Sequence, residues 1–241
     1  MQNAAINSPG NRIAGLAHRF QLVRGHRLLK TTRVLSTGIS VLDEFLPSGG
    51  LLKGAINEWV GVPGKVTLAS CVLALHSHSH PVAFLGSDGI PHPLLMERAG
   101  GMFSNLYLAV ESSPALFVRL VEQVTGAAVF PLIVIQASRW NSGEPLFSAP
   151  SLRRLFSMAR GTGCTLLFLL EDHGTLPFLT RSCALRLRFS PVGSDSGRSA
   201  PVGSDSGRCS IELERLSGFS PGGQLTLALD EIVASVKGRA S

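Results

Sequence analysis

Residues 55–75 read A-I-N-E-W-V-G-V-P-G-K-V-T-L-A-S-C-V-L-A-L. An apolar stretch of strand character ends at Val60, a Gly/Pro turn spans residues 61–64, and Lys65 opens a run with helical character. Strand, glycine-rich turn, lysine and helix is the layout of a phosphate-cradling loop, G-x-x-x-x-G-K-[ST]. There, four residues between the glycines let backbone N–H groups wrap the phosphates, and a hydroxyl after the lysine holds Mg²⁺. Here only Val62 and Pro63 separate Gly61 from Gly64, and Val66 stands where the hydroxyl belongs, with Thr67 one place later. The stretch therefore predicts the strand–turn–helix unit of a nucleotide-binding fold with its phosphate chemistry impaired.

Outward from this unit, Val82–Leu85, Leu106–Val110, Leu132–Ile135 and Thr165–Leu170 read as short, almost wholly apolar strands. Continuous apolar runs suit a parallel sheet covered on both faces. Helical stretches alternate with them at Lys65–His78, Pro93–Ala99, Pro114–Val124 and Ser151–Arg160, which predicts an open, doubly wound α/β sheet. The last third changes style. Cys183, Leu185, Leu187 and Phe189, then Ile211 and Leu213, then Leu225, Leu227 and Leu229 alternate with polar residues, as in an antiparallel meander. Arg186 and Arg188 are placed to pair across strands with Glu212 and Glu214.

Between those strands P-V-G-S-D-S-G-R-S-A (191–200) is followed by P-V-G-S-D-S-G-R-C-S (201–210), a tandem repeat. Each copy is Gly/Ser-rich and internally neutral, so residues 191–210 are expected to form a flexible loop. Its Asp-Ser-Gly is no nucleophile elbow, because Asp195 and Asp205 stand where G-x-S-x-G has its serine.

Length and composition agree with one α/β core. The chain has 241 residues and is 44% hydrophobic, enough to bury a core. No apolar run reaches the ~18 uncharged residues of a membrane span, and the first residues do not resemble a signal peptide, so a cytoplasmic protein is expected. The four cysteines lack C-x-x-C or metal-ligand spacing and are expected to be reduced and buried.

The net charge of +6 is unevenly placed. Six basic residues and no acidic one precede Asp43, whereas the remaining chain carries sixteen of each. Within this basic arm, residues 1–33, Ile13, Leu16, Phe20 and Val23 recur at helical spacing, with Arg12, Arg19 and Arg24 around the stripe, which predicts a helix over 12–24. Such an arm suits nucleic acid or an acidic protein surface; a solvated helix face is the alternative.

Residues 35–43, L-S-T-G-I-S-V-L-D, with Gly49-Gly50-Leu51 and Gly54-Ala55-Ile56-Asn57-Glu58, resemble the lead-in to the RecA recombinase core. The resemblance covers roughly residues 34–230. It likens Gly61, Gly64, Lys65 and Thr67 to the Walker A loop and Asp88 to the acidic residue that activates the attacking water. Leu132 to Gln136 resembles the Walker B strand, with Gln136 in place of the Mg²⁺-holding aspartate, and an amide is a poor partner for a hard cation. Leu166–Leu170 and Glu171 resemble the strand before the second DNA-binding loop, with too few residues following for that loop. Arg139, Trp140, Arg153 and Arg154 fall where RecA has its first DNA-binding loop. An arginine beside an exposed aromatic suits single-stranded DNA; the alternatives are a tryptophan capping the core beside solvated arginines and a partner hot spot.

A short RecA-like chain with degraded nucleotide motifs resembles the ImuA family of SOS mutagenesis accessory proteins. The resemblance implies a RecA-like P-loop-type core over 34–241, no catalysis, no cofactor and no metal. It also implies partners: RecA, a catalytically dead Y-family polymerase relative of the ImuB type, and an error-prone polymerase subunit, with self-association or DNA binding besides. By its docking in RecA-like filaments, the helix carrying Ile13, Leu16, Arg19, Phe20, Val23 and Arg24 is a partner-binding element. The alternatives are an active RecA/RadA-type DNA-dependent ATPase and a SulA-like cell-division inhibitor. His76 and His80 share a helical face but lack a third ligand for a metal, and Glu171-Asp172-His173 reads as polar loop residues.

Overall fold

The structure, a computed structural model, describes residues 34–62, 64–87, 89–91, 93–137, 146–171, 183–192, 207–216 and 222–240. The chain divides at Thr32/Arg33, and the basic arm with its expected helix lies outside the described residues.

The fold begins with a small closed unit. β1 (Val34–Leu35) pairs antiparallel with β2 (Leu51–Leu52), and α1 (Ser40–Phe45) lies between them in sequence. Asp43 on α1 ties this unit together. Its Oδ1 accepts from the Thr37 amide and from Thr37 Oγ1, each at 2.8 Å, while Oδ2 accepts from Ser36 Oγ at 2.5 Å. Thr37 is fully buried, so without Asp43 its backbone N–H would lose its partner away from water and its hydroxyl would keep only Ile39. The S-T-G…L-D motif is thus spent on closing the chain.

Among the described residues the main sheet has eight strands. In chain order they are β3 (Ile56–Gly61), β4 (Val82–Gly86), β5 (Leu106–Val110), β6 (Leu132–Gln136), β7 (Thr165–Leu170), β8 (Leu185–Pro191), β9 (Arg208–Leu216) and β10 (Gln224–Ala228). In space they run β10-β9-β8-β3-β7-β6-β4-β5. From β8 to β5 every neighbouring pair is parallel, and β9 and β10 complete an antiparallel margin. Helices α2 (Lys65–Ser77), α3 (Pro93–Arg98), α4 (Pro114–Gly126), α5 (Ala149–Thr162) and α6 (Leu229–Ala240) cover the sheet.

Alternation along the strands sorts the core into two halves. Trp59, Phe84, Val134, Leu167 and Leu187 face Leu68, Val72 and Leu73 of α2, with Ile232 and Val236 of α6. Ile56, Val60, Ile133, Ile135 and Phe168 face Phe117 and Val121 of α4 and Leu152 and Leu155 of α5. The wholly apolar reading of β4, β6 and β7 is what such double coverage requires. α5 starts two residues earlier than its periodicity suggested, because Ser148 caps it by accepting from the Ser151 amide and Pro150 fits the first turn.

Two elements depart from expectation. Leu229 is no strand residue but opens α6, whose Ile232, Val233 and Val236 recur at helical spacing behind Asp230 and Glu231. β5, though as apolar as its neighbours, is an edge strand with largely exposed side chains. The strands also reach into the tandem repeat at both ends. β8 includes Pro191, and β9 begins at Arg208 with Cys209 and Ser210 buried; the rest of the repeat, 193–206, lies outside the described residues.

Because the copies are identical through their arginines, removal of residues 191–200 rebuilds the same sequence at both strand ends. We expect urea stability to change by no more than ~1 kcal/mol, since cutting the 192–207 connection by ten residues is little more than one halving of loop length. Removal of 201–210 instead places Ser199 and Ala200 where Cys209 and Ser210 lie, exchanging a buried thiol for a hydroxyl at a cost of about 1–2 kcal/mol. Equal losses from the two deletions would show that the loop itself is packed.

Candidate functional site

All parallel strands end on the same side of the sheet, so Gly61, Gly86, Gln136 and Leu170 line one margin, where open α/β sheets keep their ligand crevice. The turn after β3 lies between the ends of β8 and β7. Gly61 has φ +95°, and a Cβ there would collide with the Phe189 carbonyl of β8. Gly64 has φ +94°, and a Cβ there would lie 3.0 Å from Cys209 Sγ and 3.2 Å from Leu229 Cδ2. Both positions need glycine for backbone and for space. The start of α2 is therefore walled by β9 and α6.

Lys65 is 5% exposed. Its Nζ donates to the Gly61 carbonyl at 2.6 Å, so the ammonium reaches back across the turn to the strand that precedes it. With two residues between the glycines, the turn fits around its own lysine. Val66, at the position of the Mg²⁺-binding hydroxyl, packs against the core on the α2 side, and Thr67 is half-buried.

The neighbouring strand ends are joined through backbone. The Ser87 amide donates to the Gln136 carbonyl at 3.1 Å, and Gly86 lies opposite Gln136 in the ladder. The structure thus brings Gly61, Gly64, Lys65 and Gln136 to one margin, with Thr67 in the first turn of α2. Asp88 lies outside the described residues.

A charged network sits behind the turn, on the α4/α5 face. Arg186 of β8 donates through Nη1 to Glu58 Oε2 at 3.0 Å and through Nε to Glu214 Oε2 at 2.6 Å; Arg188 Nε donates to Glu214 Oε1. The β8–β9 ladder shifts register between Arg186 and Leu187, which leaves Glu214 between paired residues and within reach of both guanidinium groups. Cross-strand pairing of both arginines was expected from sequence, with Glu212 and Glu214 as partners. Glu214 serves both, while Glu212 is exposed.

Glu58 is the partner that the alternating pattern did not predict. Its signal was an acidic residue inside the apolar run Ile56–Val60. Burial pushes its carboxyl up from the ordinary range and Arg186 opposes the shift. The Cys183 thiol beside it is itself pushed up to about 12, by burial first and by Glu58 second.

The other sequence candidates scatter. Arg153 and Arg154 are exposed on α5, and Arg154 holds Glu122 of α4 at 2.8 Å. Arg139, Trp140, Asp172, His173 and the arm residues Ile13, Leu16, Arg19, Phe20, Val23 and Arg24 lie outside the described residues. His76 and His78 secure the far end of α2, donating through Nε2 to the Ser36 carbonyl at 2.7 Å and the Gly100 carbonyl at 2.5 Å. Burial lowers the His76 pKa below that of a free imidazole. Among the described residues, no three His, Cys, Asp or Glu side chains gather as a metal site would need, and no helix is long and apolar enough to cross a membrane.

No family model matches the chain, and no curated protein matches it. Its structure is similar to the crystal structure of the RadB recombinase, with a TM-score of 0.63 and 19% identity over 80% of this chain and 94% of that one. The α/β fold expected from the motifs, a mostly parallel RecA-like sheet with an antiparallel C-terminal margin, is the fold of this chain.

The buried network makes a measurable claim. Arg186→Met removes the cation opposite Glu58, whose carboxyl must then stay charged in an apolar setting or take up a proton, and should cost up to about 3–5 kcal/mol in urea unfolding. Adding Glu58→Gln should recover part of the loss. With the folded pKa of Glu58 above its unfolded value, the folded chain holds the extra proton, so this residue's contribution to stability falls as pH rises from about 4.5. Glu58→Gln should therefore flatten the stability–pH curve in that range. A double variant as unstable as Arg186→Met alone, with an unchanged curve, would contradict this account.

Proposed function

We propose that the chain is a non-catalytic RecA-like accessory protein of DNA-damage-induced translesion synthesis and mutagenesis. On this reading it acts by binding RecA or an ImuB-type polymerase relative, with an error-prone polymerase subunit in the same assembly. The observation that carries the non-catalytic part is the Lys65–Gly61 hydrogen bond across a turn with only two residues between its glycines. A phosphate-binding lysine must extend away from its strand toward the β- and γ-phosphates. Here the same ammonium is held over the turn, and Gln136 offers an amide where Mg²⁺ favours a carboxylate.

The partner part rests on the resemblance and on the charge of the arm. Its six basic residues contain the entire net charge of the chain, so it brings a long-range attraction to any acidic surface. The likeness to the RadB recombinase favours a second reading, a DNA-dependent ATPase of the RecA/RadA type.

Turnover separates the two. The purified protein should hydrolyse no ATP above background, with or without single-stranded DNA; hydrolysis abolished by Lys65→Ala would establish the second reading. The arm has its own test. Arg19→Glu combined with Arg24→Glu should weaken association with a RecA filament and reduce its salt dependence. Deletion of residues 1–30 should abolish that association while the circular dichroism of the core persists. Full binding by a folded truncation would place the partner surface elsewhere.

A further inference from the structure

The sheet has two edges, and they are built differently. β10 carries exposed Gln224 and Thr226, whereas β5 presents Leu-Tyr-Leu-Ala-Val with Tyr107 53%, Val110 52% and Leu108 38% exposed. Met102 and Phe103, immediately before it, are also exposed. Proteins blunt such an edge with lysine, proline or a bulge. β5 has none of these, and its ladder with β4 runs without a register shift.

Backbone orientation adds to this. The Glu111 amide donates to the Gly86 carbonyl at 3.0 Å, so strand alternation turns the N–H and C=O of Leu106, Leu108 and Val110 away from β4. Residues 99–110 contain no formally charged side chain, in a chain of net charge +6.

We propose that β5 is a homodimerisation edge, pairing antiparallel with β5 of a second copy about a two-fold axis at Leu108. Leu108 exchanges its N–H and C=O with Leu108 of the second copy, Leu106 faces Val110, and Tyr107 faces Ala109. The last pair sets a large side chain against a small one on both sides of the axis. Phe130 already braces the Tyr107 ring edge-on, with centroids 5.2 Å apart.

The occupant is a second copy because the strand complements itself in both size and charge. Across this neutral patch no like charges oppose one another, and it gives an acidic or basic segment no counter-charge. This inference does not depend on the function proposed above.

Light scattering on the intact chain after size exclusion tests it. The wild type should show twice the monomer mass. Leu108→Lys and Leu108→Glu should each be monomeric at the same loading, with unchanged circular dichroism, because each sets like charges face to face at the axis. Mixing the two variants in equal amounts should restore the dimer, since lysine then faces glutamate. A monomeric wild type, dimeric single variants or a mixture that stays monomeric would each overturn the proposal, the second by showing that association uses another surface and the third by showing that Leu108 does not face Leu108.

Discussion

Two polar side chains in the middle of the most buried strand govern this structure. Asn57 and Glu58 are both fully buried in β3, where an unpartnered amide or carboxylate costs several kcal/mol. Asn57 exchanges hydrogen bonds with both backbone groups of Leu52 and donates to the Leu166 carbonyl, which fixes the small β1–β2 unit and β7 against β3. Glu58 fixes β8 through Arg186. A shift of β3 by one residue would send both side chains into the opposite half of the core and strand every one of these partners. The register of the parallel sheet is thereby specified more sharply than apolar packing alone would manage.

The same bonds explain which parts of the fold were legible in the sequence. Strands β4, β6 and β7 were readable because double coverage leaves an unbroken apolar run. β5 carries the same kind of run without the coverage, and no local pattern distinguishes a central strand from an apolar edge; strand order decides that. α6 was missed because Leu225, Leu227 and Leu229 continue an alternating pattern across the strand–helix junction, so period two hid the helical spacing of Ile232 and Val236. Of the candidate site, the glycines and Lys65 were legible by spacing, but the direction in which Lys65 extends was not. Nor was the crowding of Gly64 by Cys209 of β9 and Leu229 of α6, contacts more than 140 positions away in sequence.

The motif that most resembles a recombinase lead-in is used for architecture. Ser36, Thr37 and Asp43 bond to one another, Asn57 and Glu58 bond to the sheet, and His76 returns from α2 to the Ser36 carbonyl. None of these residues need touch a nucleotide for their types to matter. A chain can keep such a motif on grounds of folding alone, so likeness in this stretch speaks for the fold more than for chemistry at the turn.

The four cysteines have a use that their burial creates. Cys71 and Cys209 lie in the half of the core facing α2 and α6, and Cys164 and Cys183 in the half facing α4 and α5. All four thiols are pushed up, to about 11 for the first pair and about 12 for the second. At neutral pH almost none of their thiolate form is present to react. Each thiol becomes ordinary only when the layer around it opens. The chain therefore carries two pairs of native reporters, one on each side of its sheet, from which alkylation rates can tell whether the halves of the core loosen together or apart.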